Sequence, residues 1–308
     1  MSLLTRRNFL AASAAAAGAT SLLGAEPHID FPANPRDRLS VTSWPFRKYM
    51  ETPGNHDRDR SRPGMDAKDF AAMAVERFGI HNINPLTAHF RSTEPAYIEE
   101  LRVAVAKAGS HIVDLGHGGR SFYHPDKSKR QEAIEFGRKG VDIALLIGSP
   151  SVRQHITGPP GAKADVDLAA ESLGELAAYG EKKNIVINLE NDVPVAESPF
   201  FLVAVIEKVR SPYLRGLPDF ANSMNLGGGA EENYRGVTAM FKHVFNMAHV
   251  KSAYISDNGK AQEVDLARLF GIARQAGYRG YFSMEVEDAG DPFASTKKLV
   301  GETLKYLS

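Results

Sequence analysis

Ile185-Val186-Ile187-Asn188-Leu189-Glu190-Asn191-Asp192 reads as a β-strand buried on both faces, because β-branched residues lead an apolar run that polar residues bound. Its carboxyl end carries Glu190. A charge at the end of a core strand stands either in solvent or at a site that the strand mouth forms, since charged side chains are seldom buried without a partner or a metal. The reading therefore turns on whether the pattern repeats.

It does, in both directions. Strands are predicted over residues 39–44, where Pro45 ends the ladder, and over 82–86, 111–116, 141–147, 214–219, 250–255 and 280–285. Helices are predicted over 66–78, 95–108, 126–139, 165–183, 198–209, 231–247, 264–276 and 294–307. Pro95 opens one of them, Asp126 caps another, and Gly79 and Gly109 act as stops. The strand ends at Glu190, Asp219, Tyr254 and Glu285 are 29, 35 and 31 residues apart, one strand-helix unit each, with no room for a domain boundary. Eight such units with right-handed crossovers close into a single α/β (β/α)₈ TIM barrel over 39–308, preceded by a proline-rich, charged linker over 26–38. The alternative, a doubly wound open sheet, lacks a Gly-x-Gly-x-x-Gly after strand one.

A barrel brings the carboxyl ends of all its strands to one mouth, so Glu190, Asp219 and Glu285 are expected to converge. Three carboxylates in one concave site repel one another unless a cation joins them, and an oxygen-rich donor set suits a hard divalent ion such as manganese or magnesium. Otherwise the three acids bridge separately to Arg47, Arg153 or Lys251.

Composition narrows the function. Lysine plus arginine and aspartate plus glutamate each total 37, so no positive field draws a polyanion, and a nucleic-acid partner is not expected. The absence of cysteine excludes disulfides, thiolate ligands and a cysteine nucleophile. Thr5-Arg6-Arg7-Asn8-Phe9-Leu10, followed by an alanine-rich uncharged stretch to Ala25, resembles a twin-arginine export signal. The apolar segment is shorter than the roughly 20 residues a membrane span needs, which favours a signal removed near Ala19 or Ala25 over a stable membrane anchor. The expected partner in transit is the twin-arginine export machinery, the expected location periplasmic or otherwise exported, and removal of residues 1–25 leaves 35 basic against 37 acidic residues.

Four stretches together resemble the xylose isomerase-like TIM barrels of the sugar phosphate isomerase/epimerase superfamily: Leu189-Glu190-Asn191-Asp192, Asp219-Phe220-Ala221-Asn222, Tyr254-Ile255-Ser256-Asp257 and Ser283-Met284-Glu285-Val286-Glu287. In that family a glutamate, an aspartate, a histidine and a glutamate from strands five to eight bind one divalent metal. The resemblance implies Glu190, Asp219 and Glu285 as three of these ligands. Where the family has histidine followed by apolar-lysine-aspartate, strand seven as read here has Tyr254, and a family histidine two residues after the strand-five glutamate is Asp192. His249 is expected at the start of strand seven, at the far end of the barrel.

The implied activity is isomerisation or epimerisation of a sugar or keto-sugar, with Glu190 and Glu285 as the acid-base pair on either side of an enediolate. Elimination from a 3-keto sugar would use the same enolate, and a non-catalytic periplasmic sugar-binding protein is the rival of another class. An endonuclease IV-like nuclease would need several histidines at strand ends and a basic face. Trp44, His89, His117, Asp192, Asn222, Tyr254 and Asp257 are the expected substrate contacts, with Phe46 and Phe90 as further rings for a sugar to stack on.

Overall fold

The computed structural model describes residues 26–307, except 160, 193–195, 257–258 and 288–289. Eight staves form a closed barrel: β1 (Leu39–Thr42), β2 (Asn82–Asn84), a stave broken into β3 (His111–Ile112) and β4 (Leu115–Arg120), β5 (Ser151–Ile156), β6 (Val186–Glu190), β7 (Leu214–Leu217), β8 (Met247–Val250) and β11 (Tyr281–Met284). All the pairings between staves are parallel, in two runs, β3-β2-β1-β11-β8 and β4-β5-β6-β7. Isolated bridges close the two seams, Leu86 to Gly116 on one side and Gly216 to Val244 and Asp219 to His249 on the other. The helices α1 (Ala67–Phe78), α2 (Pro95–Lys107), α3 (Lys127–Ile147), α4 (Val166–Lys183), α5 (Pro199–Val209), α6 (Gly229–Phe241), α7 (Leu266–Gln275) and α8 (Pro292–Leu307) pack outside it. Among the described residues no helix is long and apolar enough to cross a membrane.

Local chemistry starts these helices. Asp66, Asp126, Asp165, Ser198 and Asp265 each accept a hydrogen bond from a backbone N–H of the first turn, worth about 1 kcal/mol apiece. Gly79 ends α1 at φ 62°, a left-handed conformation that costs a residue with a Cβ.

Two of the expected strands are displaced. Residues 141–147, expected as strand four, are the last two turns of α3. Val141, Ala144 and Ile147 lie on its buried face, whereas Leu145 and Leu146 are 48% and 50% exposed, a helical and not an extended pattern. The helix runs through Gly140, where a Cβ would stand 2.5 Å from the His117 ring, so only glycine permits this close pass over β4. The true fourth stave is β5, whose Arg153 and His155 point to the barrel mouth and so hid its core character. Strand seven is likewise β8, which begins at Met247, the last residue of the helix expected over 231–247, and ends at Val250, the first residue of the expected strand; α6 stops at Phe241. Residues 253–255, expected as the end of strand seven, are β9 (Ala253–Ile255), which pairs antiparallel with β10 (Ala261–Glu263) in a hairpin over the mouth.

The segment 26–38 lies against the opposite end of the barrel. Phe31 meets Phe245 and Tyr281 edge to face at 5.6 and 6.0 Å, and Glu26 pairs with Arg215. The twin-arginine stretch lies outside the described residues.

Candidate metal centre

The barrel interior is polar where most barrels are apolar, because inward positions on the strands are filled by Asn84, Asp114, Ser151, Asn188 and Asn246. Above this layer, at the mouth, stand Glu190 at the end of β6, Asp219 just past β7, His249 within β8 and Glu285 just past β11. All four are buried, and each offers a ligand atom within 4.8 Å of the others. The three acids expected to converge are thus brought together. The fourth member is His249, not Tyr254; His249 had been expected at the far end because strand seven was read several residues late.

The contacts leave this cluster short of protons. His249 Nδ1 lies 2.6 Å from Glu190 Oε1 and 2.5 Å from Glu285 Oε2, and one ring nitrogen has at most one proton to share between two carboxylate oxygens. Asp219 Oδ1 accepts the backbone N–H groups of Ala221 and Asn222, while its buried Oδ2 receives no hydrogen bond and has Lys251 Nζ at 3.6 Å. Three carboxylate oxygens and an imidazole nitrogen with too few protons among them form a donor set that a divalent ion fits.

Charge in the site is dense. Lys251, 1% exposed, extends its ammonium to Asn222 Oδ1 and Glu287 Oε1, both at 2.7 Å, with Glu285 Oε1 at 3.6 Å. Arg153 Nε pairs with Glu190 Oε2 at 3.1 Å, and His155 Nε2 lies 2.8 Å from the same oxygen. Both alternatives drawn from the sequence therefore coexist: Arg153 and Lys251 bridge the acids, and the acids also meet. Arg47 does not take part, since its guanidinium stacks on the Trp44 ring at 4.3 Å. Arg153, within β5, and Lys251, just past β8, occupy strand-end places equivalent to those of the acids.

These neighbours set the proton affinities. Burial raises Asp219 to about 7, with Lys251 opposing and Glu285 and Glu190 adding to the rise. Burial would raise Glu285 too, but His249 and Lys251 outweigh it and hold the group at about 2. Burial would lower His249, yet the Glu285 and Glu190 carboxylates lift it well above the usual imidazole range. Without a cation, then, the histidine keeps a proton between the two glutamates. A divalent ion would take that proton's place.

A cavity of about 630 Å³ opens over the cluster, lined on one side by Glu190, Asp192, Arg153 and His155 and on the other by Glu285, Glu287 and Lys251. Trp44, His117, Asn222 and Tyr254 line it, and Trp44 donates its indole N–H to Glu287 at 3.1 Å. His117 stacks on Phe136 at 4.3 Å and bonds Thr87 Oγ1 at 3.0 Å; burial lowers it to about 4, so it faces the cavity neutral. His89 does not reach the cavity. It is buried against Ser43 Oγ at 2.8 Å, and burial, with Arg47 second, lowers it to about 4. Phe46 and Phe90 are core residues, Phe46 packing on Phe70, Phe78 and Phe293, and offer no face to a sugar. Asp257 lies outside the described residues. The polar segment over 49–64 is tied down by Arg58 to Glu51 Oε1 at 2.7 Å, and none of its residues lines this cavity.

A family model described as xylose isomerase-like TIM barrel matches residues 66–308. The chain belongs to this family. No curated protein matches it in sequence. Among solved structures, a xylose isomerase-like TIM barrel protein from Mycobacterium smegmatis in complex with magnesium is similar at 18% identity and a TM-score of 0.64, over 87% of this chain and 96% of that one. D-psicose 3-epimerase with D-tagatose from Clostridium cellulolyticum H10 is similar at 14% identity and TM-score 0.62, over 87% and 96%. The apo form of 3-keto-D-glucoside 4-epimerase from E. coli is similar at 14% identity and TM-score 0.60, over 80% and 97%. At these identities the likeness is one of fold, and the xylose isomerase-like barrel is the fold shown.

Sequence reasoning gave His155 no role, offered Arg153 only as a bridge to the acids, and did not read His249 and Lys251 as the family's pair. A signal for the last two existed: His249-Val250-Lys251 follows the family's histidine-apolar-lysine order, and Ser252 stands where the family has aspartate.

Proposed function

We propose that the protein is an exported, metal-dependent isomerase or epimerase of a small sugar or keto-sugar, moving a proton at the carbon next to a carbonyl through an enediolate. One observation carries the reading: His249 Nδ1 between two carboxylate oxygens, beside the unbonded Asp219 Oδ2, under an open cavity. The sugar epimerases among the similar structures, and the magnesium bound by another of them, support it.

Glu190, Asp219, His249 and Glu285 would hold the ion. When bound, manganese or magnesium supplies a Lewis acid that polarises the carbonyl and offsets enediolate charge. Glu190 and Glu285 border the cavity from staves that β7 and β8 separate, so one carboxylate takes the proton from one face and the other returns it from the opposite face. Arg153 and His155 grip Glu190 Oε2 and so fix the angle of that carboxylate. Asp192, whose proton affinity burial and the Glu190 carboxylate raise, lines the cavity and is placed to hydrogen-bond a substrate hydroxyl. Trp44, Leu86 and Ile255 narrow the mouth with apolar surface and limit water.

The test is deuterium wash-in. Protein supplied with Mn²⁺ and incubated in D₂O with ketohexoses and 3-keto sugars is expected to place deuterium on the carbon next to the carbonyl of at least one of them. Binding of sugars without any exchange would instead favour a non-catalytic carrier.

Ion binding should depend on pH. Asp219 is pushed up to about 7 and His249 is also raised, so both must release protons when an ion enters. The affinity for Mn²⁺, titrated calorimetrically in buffers of different ionisation enthalpy, is expected to rise about tenfold or more per unit from pH 6 to 7, with net proton release. A flat profile over that range contradicts the ligand set.

Export is proposed to depend on the guanidinium pair of Arg6 and Arg7. Replacing both with lysine is expected to leave precursor in the cytoplasm, measured by cell fractionation, and an unchanged exported yield would remove this part of the proposal.

A further inference from the structure

Beneath the cluster the polar layer has one consistent direction of hydrogen bonding. Asp114, fully buried, accepts at Oδ1 from Ser151 Oγ at 2.5 Å and from Asn188 Nδ2 at 2.9 Å. At Oδ2 it accepts from Asn84 Nδ2 at 3.0 Å, and the same Nδ2 lies 3.0 Å from the Asp114 carbonyl. Asn246 completes the layer, donating to Ser151 Oγ at 2.7 Å and to the Val113 carbonyl at 3.1 Å while accepting from Asn188 at 3.0 Å.

The Asp114 backbone carbonyl can only accept, so the amide of Asn84 must turn its Nδ2 toward Asp114. Its Oδ1 then faces His249 Nε2 at 2.8 Å and can only accept. His249 therefore carries a proton on Nε2, and Nδ1 is left to point at Glu190, Glu285 and the ion. We infer that Asp114 and Asn84 are positioning residues that fix His249 in the Nε2–H tautomer and so make Nδ1 its ligand atom. This rests on the proposed metal centre. It also explains why a carboxylate is buried in a barrel core where branched apolar residues would pack at lower cost.

The chemistry predicts a reciprocal exchange. Asn84→Leu removes the acceptor on Nε2 and is expected to weaken Mn²⁺ binding by about 10- to 100-fold, the usual cost of losing an outer partner of a ligating histidine. Asn84→Asp combined with Asp114→Asn moves the carboxylate to position 84 and the amide to position 114. The new carboxylate accepts from His249 Nε2–H and from the new amide, whose oxygen takes over the donors from Ser151 and Asn188. This double variant is expected to recover most of the affinity that Asn84→Leu loses.

The measurement is calorimetric titration of the whole chain with Mn²⁺, with melting temperature recorded for each variant. Undiminished affinity in Asn84→Leu overturns the inference, as does a double variant with native melting and no recovery. Should Asn84→Leu fail to fold, the double variant alone decides by the same criterion. If the unsubstituted protein takes up no Mn²⁺, the metal centre falls and this inference with it; if that protein binds Mn²⁺ and Asn84→Leu binds it equally well, only the inference falls.

Discussion

Changing both Glu190 and Glu285 to glutamine is expected to abolish divalent-ion binding and to lower turnover by at least about 10²- to 10⁴-fold, the range that acid-base groups supply. The two carboxylates contribute half of the four ligand atoms, and they are also the groups that border the cavity where a proton would be taken and returned. Amide oxygens are weaker ligands and cannot accept a proton at neutral pH. The change leaves Arg153, Lys251 and His249 with fewer carboxylate partners, so melting temperature must be followed beside metal content. Metal content by elemental analysis, exchange in D₂O and melting temperature together make the check. Unchanged metal content with native melting would place the ion elsewhere and remove the mechanism.

The second large effect concerns stability. Lys251→Met is expected to cost about 3–5 kcal/mol in the metal-free protein, the usual result of removing one partner from a buried ion pair and leaving the other charged. Lys251 stands among Asp219, Glu285 and Glu287, and although burial alone would lower it, these acids hold it well above the ordinary lysine range. The melting temperature should fall by roughly 10 °C at pH 8. The loss should be smaller at pH 5: Asp219 has a folded pKa of about 7, raised from 3.8, so below 7 it takes up a proton and no longer needs the ammonium. Added Mn²⁺ should return part of the stability by mass action on the folded state. A shift of less than about 2 °C at pH 8 would mean that the acids are already neutral or screened.

What the sequence disclosed, and what it concealed, follow from where the polar residues lie. The buried strand at 186–190 announced itself because its apolar residues outnumber its polar ones, and the acids at Glu190, Asp219 and Glu285 fell at strand ends that could be counted off. The barrel followed from that count, although two strands were misplaced. β5 reads Ser-Val-Arg-Gln-His-Ile, and its charged and polar side chains face the site and its neighbours, so the more apolar end of α3 was taken in its place. β8 reads several residues late because His249 looks polar while Ala253-Tyr254-Ile255 has the β-branched and aromatic character of a strand; that stretch is one, but in the hairpin above the mouth. A one-dimensional pattern ranks strands by hydrophobicity, whereas a strand that carries a site is the one where that ranking fails. The layer of Asn84, Asp114, Ser151, Asn188 and Asn246 was illegible for a different reason: its partners lie up to 133 residues apart, and nothing local marks them.

The most direct measurement is anomalous diffraction from crystals of the chain soaked in Mn²⁺ near pH 8, where Asp219 is ionised. The proposed centre predicts a single strong peak enclosed by Glu190, Asp219, His249 Nδ1 and Glu285, with oxygen and nitrogen ligands at about 2.0–2.3 Å. No peak there, or one held instead by His155 and Asp192, would contradict it.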